Sequence, residues 1–78
     1  MAIVTGFEKI ASKKPRPHPT RVTCYWSIFR DRDSGPLLQI DTLGSREREI
    51  PGKQSQTLQF TATAARQLYE ILKSEFAL

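Results

Sequence analysis

Alternation of apolar and polar side chains is the clearest pattern in this chain, and it is strongest over residues 20–30. This stretch, TRVTCYWSIFR, is β-branched or aromatic almost throughout, which is typical of a β-strand. Because side chains alternate between the two faces of a strand, one face is apolar and is predicted to form the core. That face carries Val22, Cys24, Trp26 and Ile28. The opposite face mixes two aromatic rings with polar groups and carries Arg21, Thr23, Tyr25, Ser27 and Phe29.

Two further strands are predicted downstream of a turn. Residues 31–35 read DRDSG, a cluster of turn-forming residues, and Pro36 follows it. A hairpin is therefore expected to join the first strand to a second one at residues 37–43. A charged excursion, GSREREIPGK, separates this second strand from QSQTLQF at 54–60, where the alternation resumes and predicts a third strand.

An amphipathic helix is predicted to follow the third strand directly. Thr61 or Thr63 is the expected N-cap, because a threonine hydroxyl can accept a hydrogen bond from the free amides of the first turn. Apolar side chains then recur at spacings of three and four, as Ala64, Ala65, Leu68, Ile71, Leu72 and Phe76. We expect Trp26 and Leu68 to be buried between sheet and helix. The predicted fold class is α+β, with a curved antiparallel β-sheet of about four strands followed by one C-terminal amphipathic helix.

The N-terminal region differs in composition from the rest of the chain. We assign residues 1–19 to a basic, proline-spaced N-terminal arm and residues 20–78 to a single domain of β-sheet plus helix. The first ten residues, MAIVTGFEKI, are consistent with a short strand or with a tether lying on the sheet. The prolines at 15, 17 and 19 exclude a helix and favour an extended, polyproline-like path. The basic residues among them serve either as a tether for phosphates or as a flexible lead-in.

Composition limits the protein to one small domain with little internal support. The 78 residues include one cysteine and one histidine, which excludes an intrachain disulfide and disfavours a structural zinc site. Domains of this size bury only about 60% of their unfolded surface, so we expect oligomerisation to supply stability. A lone cysteine fits a reducing compartment, and the sequence shows neither a secretory signal nor a membrane-length apolar run. We therefore expect a cytoplasmic or nucleoid-associated protein.

A catalytic constellation is not visible in the sequence. Nucleophilic catalysis needs a serine or cysteine with a histidine and an acid, but His18 lies in the proline-spaced arm and Cys24 on the predicted core face. The aspartates are too scattered for a metal site, and there is no glycine-rich phosphate loop. We predict that the protein is not an enzyme and uses neither a cofactor nor a metal.

Charge and aromatic residues favour single-stranded nucleic acid as the partner. The formal net charge is +4, which favours an anionic partner. Cations attract phosphates, and exposed rings stack on unpaired bases, whereas the near-neutral helix does not suit a duplex groove. The candidate nucleic-acid-binding residues are Arg21, Tyr25, Phe29, Arg30, Arg46, Arg48 and Lys53. The alternative is that Tyr25 and Phe29 are buried beneath a second subunit.

Several local patterns belong together as a family resemblance. They are an alternating strand with an acid after the isoleucine (LQID, 38–41), a Pro-Gly-basic turn (51–53), Thr57-Leu58 before the helix, and apolar helix positions at Leu68 and Leu72. In these features residues 20–76 resemble the single-stranded-DNA-binding domain of the transcriptional coactivator called positive cofactor four and its small bacterial relatives. The chain departs from that pattern at about Ala65, where the family usually has tryptophan, and at 42–44, where the family's second strand ends in an aromatic residue.

This resemblance implies a dimer in which helices meet and paired sheets bind single strands. We therefore expect a homodimer, formed through the C-terminal helix, that binds single-stranded nucleic acid. DNA is the expected form, and the expected setting is transcription, replication or repair. Two alternatives stay open on the same fold, both without nucleic-acid contact: a protein-interaction module, and a regulatory subunit or inhibitor.

Overall fold

A computed structural model of the chain describes residues 1–11, 14–43 and 54–78. Within them the elements are β1 (Ala2–Val4), β2 (Cys24–Asp31), β3 (Gly35–Leu43), β4 (Gln54–Phe60) and α1 (Ala62–Glu75). The four strands form one sheet in the order β1-β4-β3-β2. The prediction of an α+β fold with about four strands and one C-terminal helix is confirmed.

A tight hairpin joins β2 to β3, as the turn cluster predicts. The Asp31 carboxylate accepts hydrogen bonds from the backbone N–H groups of Asp33 (3.1 Å) and Ser34 (2.9 Å). Gly35 follows with a φ of 75°, a left-handed conformation that glycine adopts without steric cost. These features pair Asp31 with Gly35 and set the register of the hairpin, which reaches the pairing of Cys24 with Thr42. Strand β2 begins at Cys24 rather than at residue 20. Its first residue pairs with Thr42, and β3 ends one residue later, at Leu43.

The sheet is mixed rather than wholly antiparallel. Strands β2, β3 and β4 pair antiparallel, but β1 runs parallel to β4 and places Val4 beside Phe60. Parallel neighbours need a long crossover connection, which the chain between β1 and β4 supplies. The Thr61 N–H donates to the Val4 carbonyl at 3.1 Å and extends this pairing to the start of the helix. Of the two interpretations of the first ten residues, a short strand is the one that forms.

The helix begins directly after β4, without a loop. Thr61 is the N-cap, because its hydroxyl accepts the Ala64 N–H at 3.2 Å. Lys73 in the last turn complements the negative end of the helix dipole. No helix in the described part of the chain combines the length and the apolar character that crossing a membrane requires.

The core is small and lies where the helix meets β3 and β4. Among the described residues the buried apolar side chains are Leu37, Phe60 and Ala64, and Thr57 is a buried polar one. The Phe7 ring stacks on the Phe60 ring with centroids 6.2 Å apart. The backbone N–H of Phe7 donates to Gln67 Oε1 at 2.9 Å. The segment after β1 therefore closes one end of the core.

The face of β2 predicted to form the core is exposed, which corrects the sequence analysis. Trp26 is 71% exposed and Ile28 57%, and Val22 and Cys24 are also exposed. The helix follows β4 directly and lies close to β3 and β4. Strand β2 is the outer strand of the sheet and lies beyond this cover. Leu68, the predicted partner of Trp26, is half-buried.

Candidate nucleic-acid interface

One sheet face carries a network of hydrogen-bonded polar side chains. The Thr57 hydroxyl donates to Asp41 Oδ1 at 2.7 Å, and the Gln39 amide donates to both Asp41 oxygens at 3.1 and 3.2 Å. The Gln59 amide donates in turn to Gln39 Oε1 at 2.9 Å. These residues share a face because the register pairs Asp41 with Thr57 and Gln39 with Gln59. The network links the two inner strands, β3 and β4, and holds the Asp41 carboxylate in place.

Two aromatic rings lie on the same face, on the outer strand. Tyr25 pairs with Asp41 and Phe29 with Leu37, so alternation along β2 places both rings on the side of the network. Tyr25 is 62% exposed and Phe29 40%. Four residues of strand separate them by about 13 Å. We call this surface the polar sheet face: Tyr25, Ser27, Phe29, Leu37, Gln39, Asp41, Thr57 and Gln59.

The candidate cations do not gather at one point. Arg21 precedes β2 and is exposed, near the Tyr25 end of the strand. Arg30 is exposed at the hairpin end and shares its strand face with Trp26 and Ile28 rather than with Tyr25. The remaining candidates, Arg46, Arg48 and Lys53, lie outside the described residues. The structure therefore brings together Tyr25 and Phe29, and it places Arg21 at one end of their strand.

Charge differs sharply between the two ends of β2. At the hairpin end, residues 30–33 alternate two arginines with two aspartates, so their formal charges cancel. Hydrogen bonds from the backbone N–H groups of Ser34 and Asp33 hold the pKa of Asp31 below its usual value. At the other end, Lys14, Arg16 and Arg21 are exposed with no acidic residue among residues 14–23. The described cations without acidic neighbours in sequence therefore precede β2 in the chain, whereas the Asp41 carboxylate lies across from Tyr25 on the sheet.

The part of the N-terminal arm from residue 14 onward is irregular and exposed. Residues 14–23 contain no helix or strand and all are exposed. His18 makes one local contact there, in which its Nδ1 accepts the Thr20 N–H at 3.0 Å. Lys14, Arg16 and Arg21 form no ion pair within the described part of the chain. These cations are available to an anionic ligand.

Trp26 is the residue that the sequence analysis assigned wrongly to the core. An aromatic side chain in regular alternation with other apolar residues indicates a buried face, and that pattern gave no warning of exposure. The free, exposed Cys24 lies on the same side of β2. Trp26 is exposed because β2 lies at the edge of the sheet. That position depends on how β1 and β4 pair, which alternation within β2 does not show.

A groove of about 880 Å³ lies between the segment after β1 and the helix. Phe7 and Ile71 line it, and charges of both signs surround them: Glu8, Lys9, Arg66 and Glu70. Arg66 and Glu70 lie 4.0 Å apart as an exposed i,i+4 ion pair. The described residues contain no cluster of histidine, cysteine or carboxylate side chains suited to a metal ion.

In comparisons with known proteins, no protein-family model, no curated protein and no solved structure matches the chain.

Proposed function

We propose that the protein binds single-stranded nucleic acid, with DNA as the expected form, through the polar sheet face and the basic segment beside it. The observation that carries this proposal is the position of two exposed rings, Tyr25 and Phe29, on one strand face, with the exposed Arg21 shortly before that strand in the chain. Rings of this kind stack on bases that have no partner, and flanking cations attract the phosphates.

Single strands suit this surface better than a duplex. A duplex is read by an element that enters a groove, most often a basic helix. Helix α1 carries Arg66 and Lys73 against Glu70 and Glu75, so its formal charge is zero. The polar groups between the rings, Gln39 and Gln59, are bound to one another and to Asp41, and they form a rigid floor rather than a groove-reading element.

We propose further that the active form is a homodimer. A domain of this size has difficulty in burying enough surface alone, and no large side chain among the described residues is fully buried. The similarity to the positive cofactor four domain adds support, since that family binds single strands as a dimer. The setting that follows from it is transcription, replication or repair.

A protein-interaction module is the second candidate, and exposed apolar side chains on the other side of the sheet favour it. Trp26 is 71% exposed and Ile28 57%, and exposed groups of large apolar side chains often mark interaction sites. A regulatory subunit or inhibitor would use the same surface. These alternatives require no nucleic-acid contact, and the experiment below separates them from the first.

A titration of short, labelled single-stranded oligonucleotides, followed by fluorescence anisotropy at two salt concentrations, tests the proposal. Tyr25→Ala is expected to weaken binding while leaving the salt dependence unchanged. Tyr69→Ala is the matched control, because Tyr69 is an equally exposed tyrosine on the helix (55%). A duplex of the same sequence is expected to bind more weakly.

The basic residues are tested separately. Removal of one cation that binds a phosphate of a single strand reduces the slope of log affinity against log salt by about 0.7. We expect Arg16→Ala with Arg21→Ala to flatten the slope, and the same prediction stands for Arg46→Ala with Arg48→Ala. Arg32→Ala at the balanced hairpin end is expected to change it little. Wild-type protein that shows no oligonucleotide binding at low salt would exclude the proposed function.

A further inference from the structure

The outer edge of β2 is open. Strand β2 pairs with β3 on one side, and no segment in the described part of the chain pairs with its other side. In an antiparallel ladder, the backbone N–H and C=O groups of alternate residues point away from the neighbouring strand. Every second residue of β2 therefore directs its backbone groups outward, where another strand can bind them. All eight residues of β2 are also exposed.

The two edges of the sheet are protected to different degrees. Native proteins usually keep edge strands short, or place proline, lysine or a bulge in them, so that no further strand adds. At one edge, β1 has only three residues. At the other edge, β2 has eight residues with neither proline nor lysine, and its ladder with β3 runs without a register shift. The β2 edge is therefore suited to receive another strand.

The sequence of β2 fits a second copy of itself. In an antiparallel pair with a two-fold axis at Ser27, Tyr25 lies opposite the partner's Phe29, and Trp26 lies opposite the partner's Ile28. Residues that lie opposite one another share a face, so each face of the sheet continues across the junction. Cross-strand pairs of aromatic and β-branched side chains stabilise a sheet. The strand thus complements itself on both faces.

Charge and strand length support the same partner. The two charged residues of β2, Arg30 and Asp31, lie together at its hairpin end. The antiparallel arrangement places them beside the uncharged start of the partner's strand, at Thr23 and Cys24, so that no like charges oppose one another. Of the other described strands, β3 and β4 are paired on both sides, and β1 has three residues. Within the described part of the chain, β2 is the strand that offers a long open edge to another β2.

We propose that two copies of this chain pair antiparallel along β2 and join their sheets into one, so that each copy completes the nucleic-acid surface of the other. Within one protomer, Tyr25 and Phe29 are about 13 Å apart. The pairing brings the partner's Phe29 to about 5 Å from Tyr25 and makes the polar sheet face continuous across the dimer. This inference rests on the proposed function for the role of the joined surface, but the pairing itself requires no nucleic acid.

Ser27→Cys in a Cys24→Ser background gives a direct test, because residue 27 lies on the two-fold axis and faces its own copy. Side chains directly opposite in a ladder have Cβ atoms about 4.5–5.5 Å apart, close to the separation that a disulfide bridges. We expect mild oxidation without nucleic acid to link most of this variant into dimers. The wild type is the matched control. Its Cys24 is an exposed cysteine of the same strand, but the two copies of Cys24 would lie about 20 Å apart along the ladder.

The wild type also supplies a measurement that needs no substitution. Sedimentation equilibrium is expected to give twice 8.9 kDa, and hydrogen exchange followed by NMR is expected to show alternate amides of β2 becoming protected over the same concentration range. A monomer throughout the micromolar range overturns the proposal. A dimer whose β2 amides stay unprotected, and whose Ser27→Cys variant is not linked, also overturns it and places the interface elsewhere, as on the C-terminal helix.

The oligonucleotide titration separates this inference from the proposed function. A wild-type protein that binds single strands while it stays monomeric would retain the function and overturn the edge pairing. A disulfide-linked Ser27→Cys dimer that binds no oligonucleotide at low salt would retain the pairing and exclude the function.

Discussion

The burial of side chains on the two faces of the sheet does not follow the composition of those faces. The polar sheet face is partly buried, with Leu37 and Thr57 enclosed and Gln39, Asp41 and Gln59 joined by hydrogen bonds. On the opposite face Trp26, Ile28 and Leu58 are exposed, and Phe60 is buried beneath the Phe7 ring. Buried residues therefore occur on both faces, Leu37 and Thr57 on one and Phe60 on the other.

Substitutions in β4 compare a closed position with an open one on the same side of that strand. Phe60 is 6% exposed and stacked on Phe7, whereas Leu58, two residues earlier, is open. Phe60→Ala is expected to reduce the free energy of unfolding by about 3–5 kcal/mol, a large share of a small domain's stability. Leu58→Ala is expected to lose less than half as much at low protein concentration. Urea unfolding monitored by circular dichroism measures both.

Repeating the two measurements at higher protein concentration makes the comparison between Leu58→Ala and Phe60→Ala more specific. If a second copy covers Leu58, the loss caused by Leu58→Ala grows as the concentration rises through the dimer dissociation constant, relative to the loss caused by Phe60→Ala. Equal losses for the two variants at low concentration would show that Leu58 is already buried within one chain. The distinction between a closed and an open position would then fail.

The hydrogen-bond network tests the other face. Asp41→Ala removes the acceptor of the 2.7 Å bond from the buried Thr57 and of both bonds from Gln39. A hydrogen bond to a charged group contributes about 1.5–3 kcal/mol, and we expect a loss of that order in thermal or urea unfolding. Asp41→Asn keeps one carbonyl acceptor and is expected to lose less. Wild-type stability in Asp41→Ala would mean that the network does not hold this face together.

Local elements could be predicted from the sequence because their signals are local. The turn at 31–35, the alternation in β3 and β4, and the Thr61 cap each depend on neighbouring residues, and each forms as expected. The pairing of β1 with β4 could not be predicted in the same way. Three residues, Ala2–Val4, carry little periodicity, and their partner strand is more than fifty positions away. That pairing makes the sheet mixed, with β1 at the edge opposite β2.

The candidate site could be predicted only in part, for a related reason. Alternation was enough to place Tyr25 and Phe29 together on one face of β2. It was not enough to show which face the helix would cover, and so Trp26 was assigned to the core. The charge of the hairpin end was also missed, since Arg30 matters less once the acidic residues beside it are counted. Burial depends on tertiary packing, which no single strand encodes.

Adjacent residues of β2 allow a direct comparison of the two faces in binding. Tyr25 and Trp26 are both exposed aromatic side chains, and they point to opposite sides of the sheet. Tyr25→Ala is expected to weaken oligonucleotide binding by about 1–3 kcal/mol for each stacked base. Trp26→Ala, on the opposite face, is expected to leave the affinity for the oligonucleotide unchanged. The reverse result would assign nucleic acid to the face of the sheet on which Trp26 lies.

The smallest expected effect concerns the turn that decides which residues lie on each face. A slip of one residue between β2 and β3 would exchange the faces of β2, and the hydrogen bonds from Ser34 and Asp33 to Asp31 oppose it. These bonds favour the charged carboxylate and lower the pKa of Asp31 from 3.8. A lowered pKa in the folded state means that the stabilisation is present above the unfolded value and is lost as pH falls through the folded one. Carboxyl titration by NMR should therefore give a lower pKa for Asp31 in the folded protein than in urea. Asp31→Asn, which keeps an acceptor oxygen, should remove this part of the pH dependence while preserving the hairpin; equal pKa values in the two states would show that the turn does not depend on the charge.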